Sequence, residues 1–277
     1  MMDRKYVFLD IDGTLVNGRG RMPDSTYIAI QKAQQNGHRM ILATGRQRSQ
    51  IYSWLTEKIR FDGIIASSGA YIEDGAGKII FASRPSRERL SFAINFFRKH
   101  ATPYCIQTAE AVVTEQWCMQ PMVDMFRGYG FSDEVVDSIF SHTVIMAKPE
   151  ECKEAEKMSY YNSPMKREAV RKELGSYFYV TGYSLSNGMD TGYFGEITFE
   201  GVNKAVGIQK YMDAVGAPIA NTVAIGDSEN DTEMIAFAQT GVAMGNASRA
   251  IKETADMVTA AIDEDGIEKA FTVLGLI

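Results

Sequence analysis

Val7-Phe8-Leu9-Asp10-Ile11-Asp12-Gly13-Thr14 places two carboxylates one residue apart at the end of an apolar run, where a strand hands over to a loop. Asp and Gly are poor strand formers. Tyr6 to Ile11 therefore reads as a buried strand, with Asp10 and Asp12 sharing one face at its carboxyl end. Two like charges so close repel, and ionising both is costly unless a cation or a proton sits between them. A hard metal ion meets that need.

Three further pieces sit at comparable places. Thr44-Gly45-Arg46 follows the apolar run Met40-Ile41-Leu42-Ala43, and Lys204 opens a helical pattern after Glu196-Ile197-Thr198-Phe199. Gly226-Asp227-Ser228-Glu229-Asn230-Asp231 follows Thr222-Val223-Ala224-Ile225, and a helix starting near Ser228 would keep Asp227 and Asp231 together. In open α/β sheets the carboxyl edge of the strands is where ligands bind, so the four pieces point to one convergent site.

Strand and helix patterns alternate from the start, with strands at 5–11, 39–43 and 63–66 and helices near 24–36 and 47–58. That alternation implies a parallel sheet with covering helices. Residues 70–73 and 78–81 flank a turn-rich Asp74-Gly75-Ala76-Gly77 and read as a hairpin. From about Pro85 to Tyr183 the pattern changes to α+β: helices near 86–99 and 163–174, strands near 104–108, 111–114, 143–147 and 177–181. Alternation resumes with strands at 194–199, 221–226 and 241–244 and helices near 203–215, 229–238 and 264–273. The expected organisation is an α/β doubly wound parallel core built from 1–83 and 184–277, with an α+β domain inserted over 84–183.

The 277 residues carry a net charge of -6, with 45% hydrophobic and 23% charged residues, the balance of an ordinary globular protein. Without a basic stripe, nucleic acid is an unsuitable partner. No run approaches the ~20 apolar residues of a membrane span, and the opening residues lack a signal-peptide core, so a cytoplasmic chain is expected. Cys105, Cys118 and Cys152 are odd in number and lack a CxxC spacing, which favours reduced packing residues. His38, His100 and His142 form no cluster in the sequence.

The DxDGT box (Asp10 to Thr14), the TGR box (Thr44 to Arg46), the Lys204 box and the GDSEND box (Asp227 to Asp231) occur here in an order and separation that resemble the haloacid dehalogenase superfamily of phosphotransferases, in its Cof-like, type IIB branch. The resemblance implies a Rossmann-like core, a C2-type cap formed by the insert, and magnesium-dependent hydrolysis of small phosphorylated metabolites, foremost sugar phosphates, through an aspartyl-phosphate. A phosphomutase or phosphosugar transferase, and a sensor that only binds a phosphorylated ligand, are the rival functions. A monomer or weak homodimer is expected.

Within that resemblance Asp10 is the nucleophile and Asp12 the acid and base, its main-chain carbonyl joining Asp10 and Asp227 around Mg2+. Thr44 and the Gly45 amide hold phosphoryl oxygens, while Thr44 equally suits a helix N-cap. Arg46 either contacts substrate or forms a solvated salt bridge. Lys204 sets a positive charge against the phosphoryl group and Asp10, with Asn203 a second phosphate contact. Asn230 and Asp231 orient Lys204, Asp227 or bound water. Two departures from the family pattern are Ser68, where Cof-like chains carry Asn before Gly-Ala, and a longer, glycine-rich stretch from Asn187 to Gly195.

Overall fold

The computed structural model describes residues 4–175, 177–182 and 192–277. Most of the glycine-rich stretch noted above, residues 187–191, lies outside the described residues. Among the described residues fourteen strands follow in chain order: β1 Tyr6–Leu9, β2 Arg39–Ala43, β3 Gly63–Ala66, β4 Tyr71–Asp74, β5 Ile79–Ala82, β6 Tyr104–Gln107, β7 Val112–Thr114, β8 Thr143–Ile145, β9 Lys157–Tyr160, β10 Phe178–Thr181, β11 Gly195–Phe199, β12 Thr222–Gly226, β13 Thr240–Ala243 and β14 Met257–Val258. The α-helices are α1 Asp24–Gln35, α2 Ser53–Lys58, α3 Arg87–Lys99, α4 Gln116–Gly128, α5 Asp133–Phe140, α6 Arg167–Leu174, α7 Lys204–Val215, α8 Thr232–Phe237, α9 Arg249–Thr254 and α10 Gly266–Val273.

The chain forms two compact units, one of residues 1–46, 50–82 and 203–277, the other of residues 47–49 and 83–202. The first is an eight-stranded sheet in the order β14-β13-β12-β1-β2-β3-β4-β5. Its pairs from β14 to β3 are parallel, and β4 and β5 add the expected antiparallel hairpin. Apolar continuity explains the parallel part. Val7, Phe8, Leu9, Met40, Ile41, Leu42, Val223, Ala224 and Ile225 are buried, as strands covered on both faces require. β1 lies between β2 and β12, so the chain leaves β1 in one direction and returns on its other side. That reversal makes the carboxyl end of β1 the switch point of the sheet. Phe8 and Tyr211 of α7 meet edge to face at 5.9 Å, and the Tyr211 hydroxyl donates to the Asp62 carbonyl (2.7 Å).

The second unit is a six-stranded sheet in the order β10-β11-β9-β6-β7-β8, with its own core around Phe97, Tyr104, Phe126, Tyr160 and Phe194. β11 pairs antiparallel with β9 and β10. The expected return to the first sheet at residue 184 is therefore corrected: Gly195–Phe199 belongs to the inserted unit, and the chain re-enters the core at Asn203. Two further corrections concern helices. The helix expected over 47–58 begins only at Ser53, after a short 3-10 turn at Arg48–Gln50. The helices α4 and α5 were not anticipated.

Candidate active site

Four loops meet at the carboxyl end of β1. The Asp10 main-chain N–H still donates to Ile225 (3.1 Å), and the chain then coils so that the N–H groups of Thr14, Leu15 and Val16 converge on the Ile11 carbonyl at 3.3, 2.9 and 2.8 Å. The coil takes Asp12 off the strand alternation that placed both carboxylates on one face. Asp10 is 4% exposed, whereas the Asp12 side chain is half exposed and gripped by Arg46. The grip is a fork, with Nε to Oδ2 at 2.6 Å and Nη2 to Oδ1 at 2.8 Å. Arg46 also donates to the Tyr52 hydroxyl (2.7 Å) and the Gln50 carbonyl (3.1 Å). Of the two roles open to Arg46, the structure displays the salt bridge, with Asp12 as its partner.

Lys204 enters from the first turn of α7, which Asn203 caps by accepting from the Val206 N–H (2.8 Å). Its ammonium, 1% exposed, donates to Asp10 Oδ1 at 2.7 Å and to Asp231 Oδ1 at 2.5 Å. The other Asp231 oxygen accepts from the N–H groups of Asp227 and Ser228, both at 3.0 Å, and the single Ser228 hydroxyl proton is shared between it (3.2 Å) and Asn230 Oδ1 (2.8 Å). Asp231 is thus a strut between the start of its own helix and Lys204. Thr44 donates its N–H to Ile65 (2.8 Å) and accepts from the Arg46 N–H at its hydroxyl (3.1 Å).

Asp227 follows β12 and faces the Gly13 backbone. A Cβ at Gly13, whose φ is +88°, would lie 2.1 Å from Asp227 Oδ2, so only glycine allows this approach. Thr14 donates to Asp227 Oδ1 (3.2 Å), and Asn246 donates to both Asp227 Oδ2 (3.2 Å) and the Gly13 carbonyl (2.9 Å). The sequence assigns Thr14 no role beyond its place in the DxDGT box, and Asn246 and Tyr52 none at all. Asn246 carried a signal all the same, since it stands three residues beyond the end of β13, at another strand end.

The electrostatics are those of too many carboxylates for one ammonium. Burial, followed by the Asp231 charge, raises Asp10 well above the ordinary carboxylate range even with Lys204 beside it. Burial and Asp231 together push Asp227 up to about 7. Burial alone would lower the Lys204 ammonium, but Asp10 and Asp231 outweigh it and hold it above its usual range. Carboxylate oxygens of Asp10, Asp227 and Asp231 all lie within 4.8 Å of one another. A small hard cation relieves such crowding, and an all-oxygen donor set suits it.

Removing the strut should be felt in stability. Asp231→Ala strips Lys204 of one partner and leaves two main-chain N–H groups without their acceptor, and breaking a buried pair in this way costs about 3–5 kcal/mol. Urea denaturation checks the figure, and a loss below about 1 kcal/mol would show that Asp231 contributes little.

Residues 7–271 match the family model for haloacid dehalogenase-like hydrolases. The chain belongs to that family. Among curated relatives it is 27% identical over 270 residues to the Bacillus subtilis 5-amino-6-(5-phospho-D-ribitylamino)uracil phosphatase YcsE, covering 97% of this hydrolase and 95% of YcsE. Among solved structures, the subclass IIB sugar phosphatase BT4131 superimposes with a TM-score of 0.79 at 29% identity, over 99% of this chain and 100% of that one. The Bacteroides thetaiotaomicron phosphatase BT1666 gives 0.83 at 26% identity, over 99% and 96%. The hydrolase thus has the haloacid dehalogenase fold, a doubly wound core with an inserted α+β domain. Among its described residues no helix is long and apolar enough to cross a membrane.

Proposed function

We propose that this hydrolase is a cytoplasmic, magnesium-dependent phosphatase of small phosphorylated metabolites, with sugar phosphates as the first class to test. The observation that carries the reading is the buried Lys204 ammonium 2.7 Å from the Asp10 carboxylate at the switch point of the sheet. A nucleophilic carboxylate needs a cation at its shoulder before a phosphate dianion can approach it. That BT4131 is a sugar phosphatase supports the substrate class.

In the proposed reaction an Asp10 oxygen attacks phosphorus and the bond to the leaving oxygen breaks, giving an aspartyl-phosphate and an alcohol. Asp12 gives the leaving oxygen its proton. It then takes a proton from the water that attacks the acyl phosphate, releasing inorganic phosphate and restoring Asp10. Arg46 grips both oxygens of the resting Asp12 side chain, so proton transfer at the leaving oxygen requires Asp12 to leave that fork. Lys204, Thr44, Asn203 and the Gly45 amide steady the phosphoryl oxygens, and Asp231 with Asn230 keeps Lys204 and the Asp227 loop in place. Asp10, Asp227 and the Asp12 main-chain carbonyl would hold Mg2+, which supplies neutralisation of charge on the phosphoryl group.

The test is a screen of phosphorylated metabolites for phosphate release with magnesium present. The expected result is release from several sugar phosphates, with labelled phosphoryl appearing in inorganic phosphate. Transfer of the label to a second sugar would instead make the protein a mutase or transferase, and binding without release would make it a sensor.

A further inference from the structure

The turn after β3 holds three successive residues in the left-handed region: Ser67 at φ +50°, Ser68 at +55° and Gly69 at +97°. Left-handed backbone is disfavoured for L-residues, and two serines in a row there persist only where the surroundings impose it. All three residues are buried.

Both ends of the turn are tied to phosphate-handling elements. On one side the Ser67 N–H donates to the Arg46 carbonyl (2.8 Å) and the Ser68 N–H to the Thr44 carbonyl (3.0 Å). These two bonds clamp the carbonyls on either side of Gly45. On the other side Gly69 abuts the cap of α7, where a Cβ would lie 2.2 Å from the Asn203 carbonyl oxygen. A Cβ on Gly207, one turn further along α7, would stand 3.3 Å from the Gly69 Cα and 2.7 Å from Ile65 Cγ2. Asn203 immediately precedes Lys204, so the turn is wedged between the Thr44–Arg46 loop and the root of the lysine. The Ser68 hydroxyl makes no hydrogen bond. The side chain therefore contributes no bond within the protein, and what the position imposes is a backbone conformation.

We propose that Ser67-Ser68-Gly69 is a positioning device that sets the distance between the phosphoryl-gripping Thr44–Arg46 loop and the Lys204 ammonium, with Ser68 and Gly69 as its determining residues. The proposal rests on the phosphatase reading above. The left-handed turn sends two consecutive N–H groups toward one loop while bringing the Gly69 Cα against the helix cap. A relaxed turn would let either element drift, and an ångström of drift matters more to the trigonal phosphoryl group in flight than to bound ground-state ester.

The experiment compares Ser68→Asn, Ser68→Val and Gly69→Ala with the wild type on p-nitrophenyl phosphate. Each is assayed well below its own unfolding temperature, with inhibition by orthovanadate and by inorganic phosphate measured alongside. Asn tolerates left-handed backbone and a β-branched residue does not. Ser68→Asn should therefore keep kcat within about threefold, while Ser68→Val and Gly69→Ala lose about thirtyfold or more with KM moved far less. In the two impaired variants the inhibition constant for vanadate, a trigonal mimic, should rise about tenfold more than that for phosphate. Should Gly69→Ala fail to fold, the two Ser68 variants decide the matter. Equal kcat for Ser68→Asn and Ser68→Val, or vanadate and phosphate inhibition weakening in step, overturns the proposal while leaving the phosphatase reading intact. A wild type that releases no phosphate from any ester overturns both.

Discussion

Asp10→Asn should lower turnover by at least about 10³-fold, the loss of roughly 4 kcal/mol of transition-state stabilisation. An amide is a far weaker nucleophile than a carboxylate, and the neighbouring carboxylates are engaged, Asp227 accepting from Thr14 and Asn246. Lys204 is bonded to Asp10 and Asp231, and Asp12 is held by Arg46. The substitution is nearly isosteric, and the Asn oxygen can still accept from Lys204. It also removes one charge from a cluster in which burial and Asp231 already oppose ionisation of Asp10. Chemistry and stability should therefore part company, with the variant as stable as the wild type, or more so, and unable to form a phosphoenzyme. Thermal unfolding alongside acid-quenched labelling with a radioactive phosphate ester reads both quantities. Turnover within tenfold of wild type would remove Asp10 from the nucleophile's role.

The sequence disclosed the site because strand ends concentrate chemistry. Asp10, Thr44 and Asp227 each stand directly after an apolar run, and the runs are the parallel strands that converge at the switch point. Lys204 was legible only through its register against those boxes, since a lysine at a helix start is ordinarily solvated. What escaped was pairing that local pattern does not encode. Gly195-Glu196-Ile197-Thr198-Phe199 reads as one more strand of the alternating core, yet it joins the inserted sheet. Its polar residues at alternate positions were the available clue, because the central core strands are apolar without interruption. The helix α4 was hidden by Pro121, which removes an N–H within an otherwise regular spacing of Cys118, Met122, Met125 and Phe126. The Asp12–Arg46 fork depends on the coil at Ile11, and Asn246 meets Asp227 from 19 positions away. Such contacts belong to the fold.

Removing divalent cations should abolish turnover and change how stability depends on pH. Asp10 and Asp227, with Asp231 close by, face the incoming phosphate with one ammonium among them, and a phosphate dianion adds to that repulsion. Activity in excess chelator should fall below detection and return with magnesium. Calcium should not restore it, because its larger and more flexible shell would misplace Asp10 for in-line attack. The stability effect follows from Asp227. Its pKa in the folded, cation-free protein is pushed to about 7, chiefly by burial and then by Asp231, whereas an unfolded aspartate titrates near about 3.9. Between those values the folded state binds the extra proton, so stability is greatest below the unfolded pKa and declines as pH rises through about 7. Magnesium competes with that proton and binds only the folded arrangement, so it should raise the unfolding midpoint increasingly from acidic to neutral pH. Asp227→Asn should flatten the cation-free pH dependence and weaken the magnesium-induced rise. Thermal scans in chelator and in magnesium at several pH values test this directly. Full turnover in chelator, or an unfolding midpoint that magnesium leaves unchanged at neutral pH, would rule out a metal site at the end of β1.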